Sequence, residues 1–235
     1  MSQRYERLAT LFPQPILFES RRRNLQRFLS LPQLIPEAVW FPIVKQWIKR
    51  QIPRGQPLQI VLDRTQWQNR NLFMVSVVYQ NRAIPLFWMW LDKQGQSSLS
   101  DQQKGLRPVF RLLKKHRFVL LGDREFHSIE LAAWCVEKEV SFVFRLPKNT
   151  TVQPSCSSSF TRLNELPQAP GLVEHYVQIQ VTQKRGFGKH NLAIRRKRAY
   201  RQSRANEVWY LLTNFVDVDK ALFHYNARFC IEPLF

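Results

Sequence analysis

Three apolar, β-prone runs follow one another directly between residues 58 and 91, and beyond them helix-like and strand-like stretches alternate as far as Leu146. Residues 58–62 are Leu-Gln-Ile-Val-Leu and end at Asp63, residues 71–79 are rich in Val and Phe, and residues 83–91 are apolar and aromatic. Gln80-Asn81 suits a tight turn, which makes the second and third runs a hairpin. Residues 101–116 set Leu106, Val109, Phe110, Leu112 and Leu113 on one side and Lys or Arg on the other, as a helix does. Residues 118–121 read as a fourth strand stopped by Gly122-Asp123, residues 127–140 as a second helix, and residues 141–146 as a fifth strand. This order, β-β-β-α-β-α-β, predicts an antiparallel half followed by a parallel half with helices packed on it.

The flanks read differently. Residues 1–57 are short helical pieces broken by Pro13, Pro15, Pro32, Pro36, Pro42, Pro53 and Pro57, with Arg21-Arg22-Arg23 ahead of an apolar stripe of Leu25, Phe28, Leu29 and Leu31. Residues 147–206 hold short alternating stretches, 173–182 and 191–194, among Ser, Pro and basic residues, which predicts a small antiparallel sheet inserted into the α/β core rather than continuing it. Residues 208–214 return as a last strand, and residues 219–235 as a last helix. The expected domains are a helical basic N-terminal region (1–57), a core built from 58–146 and 207–235, and a β-rich basic insertion (147–206).

Charge limits the partners. The formal net charge is +19, from 36 Lys and Arg against 17 Asp and Glu. The four segments 1–57, 58–146, 147–206 and 207–235 carry +7, +5, +9 and −2, so the C-terminal segment alone is acidic. Such a field attracts polyanions, double-stranded DNA among them, although charge by itself leaves a ribosomal-type or membrane-surface protein open. Between residues 184 and 204 stand Lys184, Arg185, Lys189, Arg195, Arg196, Lys197, Arg198, Arg201 and Arg204 without an acid; phosphate contact is the expected role and a solvated loop the alternative. Cys135, Cys156 and Cys230 lack metal or disulfide spacing, no signal peptide is visible, and the longest apolar run, 83–91, is too short to span a bilayer. A cytoplasmic, nucleoid-associated protein with no membrane partner is expected.

Asp63 and Asp123 each close a predicted strand. If the first and fourth strands are neighbours the two carboxylates stand side by side and repel unless a cation lies between them, and Mg²⁺ is the natural one. Two ordinary loop aspartates are the plainer alternative. Arg64 and Arg124 directly follow the two acids, placed for a phosphate. Tyr225, Arg228 and Glu232 fall at i, i+3 and i+7 and share one helix face, either as a surface ion pair or as a third carboxylate aimed at the first two.

At these residues the sequence resembles the IS4-type transposases of bacterial insertion sequences, members of the DDE transposases. The resemblance is carried by Val61-Leu62-Asp63-Arg64-Thr65-Gln66-Trp67, Ala83-Ile84-Pro85-Leu86, Leu91-Asp92-Lys93-Gln94-Gly95 and Gly122-Asp123-Arg124-Glu125-Phe126. It continues through Phe144-Arg145-Leu146, Tyr210-Leu211-Leu212-Thr213-Asn214 and the run from Tyr225 to Glu232. It implies an RNase H-like mixed sheet flanked by helices, with an all-β insertion before the last helix. It also implies metal-dependent DNA cleavage and strand transfer by an Asp-Asp-Glu triad, Asp63, Asp123 and Glu232, holding two Mg²⁺ (or Mn²⁺) ions. Tyr225 and Arg228 match the Tyr-Arg-Glu-Lys signature, whose Lys would fall at position 239, beyond Phe235. The resemblance therefore carries a second expectation, a truncated, catalytically inactive DNA-binding remnant. The implied partners are insertion-sequence ends and target DNA, with a possible homodimer on the DNA.

Overall fold

The computed structural model describes residues 2–53, 55–155, 157–171, 173–182, 188–196 and 208–228. It divides into two compact units, Met1–Gln51 and Ile52–Phe235. The first unit holds helices α1 (Ser2–Thr10), α2 (Phe18–Leu29) and α3 (Pro36–Gln51). The stripe expected on α2 is not buried: no residue of that helix is, and Phe28 and Leu29 are about half exposed. Pro42 was expected to break the chain, yet α3 runs through it and buries Phe41, Val44 and Ile48, one face at i, i+3 and i+7.

The second unit opens with the predicted meander, β1 (Leu58–Trp67), β2 (Arg70–Tyr79) and β3 (Arg82–Leu91). Gln80 and Asn81 both take positive φ (47° and 59°), the backbone that a two-residue hairpin with the native strand twist demands. β1 is longer than its sequence suggests. Its antiparallel ladder with β2 runs from Ile60↔Val77 to Trp67↔Arg70, so Asp63 lies within the strand and not at its end. Helix α4 (Leu99–Leu112) follows, its N-terminus closed by a reciprocal capping box between Ser98 and Asp101. Next come β4 (Phe118–Gly122), a 3-10 turn (Arg124–Phe126), α5 (Ile129–Glu137) and β5 (Ser141–Arg145). β4 pairs in parallel with β1 on one side and β5 on the other. The order β3-β2-β1-β4-β5, antiparallel then parallel, is the RNase H-like arrangement.

Residues 147–206 depart from expectation. Their strands β6 (Thr151–Gln153), β7 (Thr161–Arg162), β8 (Val173–Val181) and β9 (Lys189–Arg196) do not make a separate sheet. β10 (Val208–Thr213) pairs antiparallel with β5 on one edge and with β9 on the other, giving one continuous sheet in the order β3-β2-β1-β4-β5-β10-β9-β8-β6-β7. The physical reason is an open edge: β5 would otherwise present unpaired N–H and C=O groups, and β10 carries the β9 and β8 ladder in on its far side. The last described helix is α6 (Val218–Arg228).

Two faces of this sheet are buried by different means. On one, Ala221, Leu222 and Tyr225 of α6 cover Val61, Val119, Leu121, Val143, Trp209 and Leu211. On the other, Phe126 packs edge-on against Phe73 at 6.0 Å, and Phe110 of α4 stacks on Trp134 of α5 at 4.9 Å. Gly122 is held between the two Phe layers: a Cβ there would lie 2.7 Å from Cβ of Phe126 and 3.0 Å from the Phe144 ring. Gly122→Ala is therefore expected to lower stability by roughly 1–3 kcal/mol, the usual cost of overpacking. Urea unfolding of the two proteins measures it; an unchanged midpoint would show that the turn after β4 yields freely.

Candidate active site

The parallel register of β1 and β4 positions the acids. Val61 stands opposite Leu121, and both point into the apolar layer beneath α6. Two residues further along each strand, on the same face by the period of two, come Asp63 and Asp123. Neighbouring strands lie about 4.8 Å apart, so these carboxylates are side by side. The next strand repeats the pattern: Leu121 stands opposite Val143, and two residues on from Val143 is Arg145. Asp63, Asp123 and Arg145 thus form a row across three strands at one end of the sheet.

Asp123 is fixed at both oxygens. Its Oδ1 accepts from the main-chain N–H of Glu125 at 2.9 Å, capping the 3-10 turn, and its Oδ2 accepts from Arg228 Nη2 at 3.1 Å. The Arg228 side chain is 13% exposed and that of Asp123 35%, so this ion pair is partly shielded from water at its guanidinium end and open at its carboxylate. Arg228 reaches the acid because α6 lies across the same face, with Ala221, Leu222 and Tyr225 buried on it. Tyr225 is fully buried, its ring edge-on to Trp209 at 5.2 Å. Burial raises the Tyr225 pKa, against the opposing pull of Arg145 and Arg228.

Asp63 has the opposite electrostatic situation. Burial chiefly raises its pKa, Asp123 and Glu125 push it further, and the Arg64 main-chain N–H with Arg228 only partly offsets them. A half-buried carboxylate beside a second one, with a net upward push, is the setting that a divalent cation relieves.

Other predicted residues fall into three groups. Arg64 points to the opposite face, where it pairs with Glu125 and donates to Asn71 Oδ1 at 2.8 Å. Asn71, fully buried, in turn donates to the main-chain oxygens of Lys93 and Gly95 at 2.9 and 2.8 Å. Arg64 therefore ties β1 to the turn behind Asp123, instead of standing free for a phosphate. Arg124 is exposed beside Asp123, Lys189 is exposed at the start of β9, and Arg195 and Arg196 are half-buried at its end. The Arg195 guanidinium lies 5.6 Å from the centre of the Trp209 ring, and Arg196 donates to the Gln168 main-chain oxygen at 3.3 Å. Glu232, Lys184, Arg185, Lys197 and Arg198 lie outside the described residues. Among the described residues no group of three or more His, Cys, Asp or Glu is close enough to hold a metal, so Asp63 and Asp123 stand as a pair.

The resemblance ran through Phe144-Arg145-Leu146 but gave Arg145 no role. Its signal was a cation near the end of the predicted strand 141–146, and only the register with β4 sets it in one row with the two aspartates.

A family model described as Transposase DDE domain matches residues 91–235, more than half of the chain and including Asp123, Tyr225 and Arg228. Among solved structures, the piggyBac transposase in a synaptic complex with hairpin DNA superposes with a TM-score of 0.42 at 16% identity, covering 90% of this chain and 48% of that one. The chain thus spans about half the length of that neighbour. Comparison with curated proteins gave no match.

The upward shift at Asp63 has a thermodynamic sign. A carboxyl whose folded pKa exceeds its unfolded value favours the folded state while protonated, and that contribution is lost as pH rises through the folded pKa. Asp63→Asn should therefore raise the melting temperature of metal-free protein at pH 7, and the gain should disappear below the ordinary carboxylate range, near pH 3. Melting curves at both pH values in EDTA check this; a lower melting temperature at pH 7 would contradict it.

Proposed function

The chain belongs to the transposase DDE domain family, and from that premise we propose that it cleaves DNA strands and transfers them, in the manner of an insertion-sequence transposase of the IS4 type. The observation that supports this reading is that Asp63 and Asp123 each follow by two residues the paired Val61 and Leu121 of the parallel strands, with Arg228 bonded to Asp123. Glu232, four residues after Arg228, would be the third acid.

The residues present fit a divalent cation. Two carboxylates in adjacent register, one of them destabilised as an anion by burial and by its neighbour, are hard oxygen donors of the type that Mg²⁺ or Mn²⁺ takes together with phosphate oxygens. Bound there, a pair of such ions would supply charge neutralisation for attacking and leaving oxygens in phosphoryl transfer. The protein's own contribution is placement. Asp123, held by the Glu125 N–H and by Arg228, keeps one donor set rigid. Arg145 and Arg228 set two guanidinium groups beside the acids, and such groups match the geometry of a DNA phosphate. Tyr225, on the buried face of α6, would fix the height of that helix over the row. The double-stranded DNA substrate would reach across the basic strands of 147–206, with Lys189, Arg195 and Arg196 at its backbone. Joining two element ends would call for a homodimer.

The separating experiment is nicking of supercoiled plasmid by purified protein with Mg²⁺ or Mn²⁺. The wild type is expected to nick, and Asp63→Ala and Asp123→Asn to lose at least about 100-fold in rate, the scale on which a single charge-stabilising group matters. A second readout needs no activity: Mg²⁺ should raise the melting temperature of the wild type and leave that of Asp63→Ala unchanged. Full nicking by Asp123→Asn would overturn the assignment. Metal-independent DNA binding without nicking by the wild type would instead favour a non-catalytic DNA-binding remnant.

Replacing Arg195 and Arg196 by Gln tests the DNA path. For every phosphate no longer neutralised, the log–log salt dependence of duplex binding should become shallower by about 0.9. An unchanged slope would take β9 out of the interface.

A further inference from the structure

At the end of the sheet away from the aspartates, the entry of β4 forms a second charged feature. Residues 114–117 are Lys-Lys-His-Arg, all four exposed, in the turn between α4 and β4. The turn is anchored, since the Arg117 main-chain oxygen accepts from Leu58 N at 2.9 Å and His116 N donates to Leu113 O at 2.8 Å. None of the four side chains has an ion pair or hydrogen bond among the described residues. Lys114, Lys115 and Arg117, held together without a counter-charge, repel one another, and a polyanion relieves that cost.

Lys114, His116 and Arg117 border a cleft of about 720 Å³ that is also lined by Phe110, Phe118, Phe215 and Phe223 and by Lys138 and Lys220. The acids facing it are few: Glu139 lines it, Glu137 is paired with Lys138, and Asp217 with Lys220. Phe223 is 68% exposed although it sits on α6 beside buried His224, against which its ring stands edge-on at 5.3 Å. A large aromatic face held open to water beside unpaired cations is the pairing used to hold single-stranded nucleic acid, with phosphates on the cations and a base stacked on the ring.

We infer that this cleft binds a DNA strand carrying at least one unstacked base, at a site separate from the aspartate row. Phe118 opens β4 and Asp123 directly follows its last residue, roughly 17 Å away along the strand. The inference goes beyond strand cleavage and does not depend on it, because binding here uses neither aspartate. An acidic protein segment is the competing occupant; the row of adjacent unpaired cations ending on an open ring favours a phosphate chain with bases.

The test is binding of a fluorescent oligo-dT of about 12 nucleotides to the full chain in EDTA, where no cleavage intervenes. Lys114→Ala with Arg117→Ala should make the salt dependence shallower by about 1.4, at 0.7 per phosphate of a single strand. Phe223→Ala, at an exposed position, should weaken binding about fivefold or more, the low end of one stacked base. With 5-iodouracil in the oligonucleotide, irradiation should attach it to the tryptic peptide of residues 221–228, and Phe223→Ala should abolish that adduct. Unchanged binding in both variants would overturn the inference. So would an unaffected Phe223→Ala with no adduct in 221–228, or displacement of the oligonucleotide from this peptide by polyglutamate but not by unlabelled oligo-dT.

Discussion

Everything at the aspartate row depends on one set of hydrogen bonds, the parallel ladder in which Leu58–Val61 pairs with Phe118–Leu121. It brings two carboxylates, sixty residues apart in the chain, to matching positions on neighbouring strands. Their mutual repulsion is unfavourable, and burial makes it worse at Asp63. The fold tolerates this because the row is buttressed from both sides of the sheet. Arg228 reaches Asp123 from α6 on one face, and on the other Glu125 and Asn71 hold Arg64 in place. The acids are thus set by scaffolding that does not itself need a ligand, as a preorganised site requires.

The two faces of the sheet divide the labour. The α4 and α5 face is a layer of stacked aromatic rings, close enough at Gly122 to leave no room for a Cβ. The α6 face is apolar in its middle and charged at its end, so one helix both covers the core and delivers Arg228 and Tyr225. The two ends of the strands differ in charge as well. Asp63 and Asp123, interleaved with Arg145 and Arg228, stand where β1 and β4 end their shared ladder, and the exposed basic residues 114–117 stand where β4 begins. Such an arrangement can orient a polyanion over the molecule without any single strong contact.

Much of this was legible along the chain. The meander, its Gln80-Asn81 turn, the two helices and the parallel pair could be read from the switch between periods of two and 3.6. The resemblance named Asp63, Asp123, Tyr225 and Arg228, and three of these four positions lie in the span that matches the transposase DDE domain. Less legible were features set by pairing over distance. The insertion strands looked like a separate sheet because alternation within 173–182 says nothing about which edge they join. Arg64 looked available to phosphate because its partners, Glu125 and Asn71, come from a turn and a strand elsewhere in the sequence.

By itself, then, the sequence determined which segments are strands and helices, the basic character of the surface, and the identity of two strand-borne acids. These follow from local side-chain periodicity and charge, which need no knowledge of neighbours. Only the tertiary structure decided that β10 seals the edge of β5, that Arg145 completes a row with Asp63 and Asp123, and that Arg64 faces inward. Register and edge pairing are set by backbone hydrogen bonds between distant segments, and no local pattern encodes which distant segment will supply them.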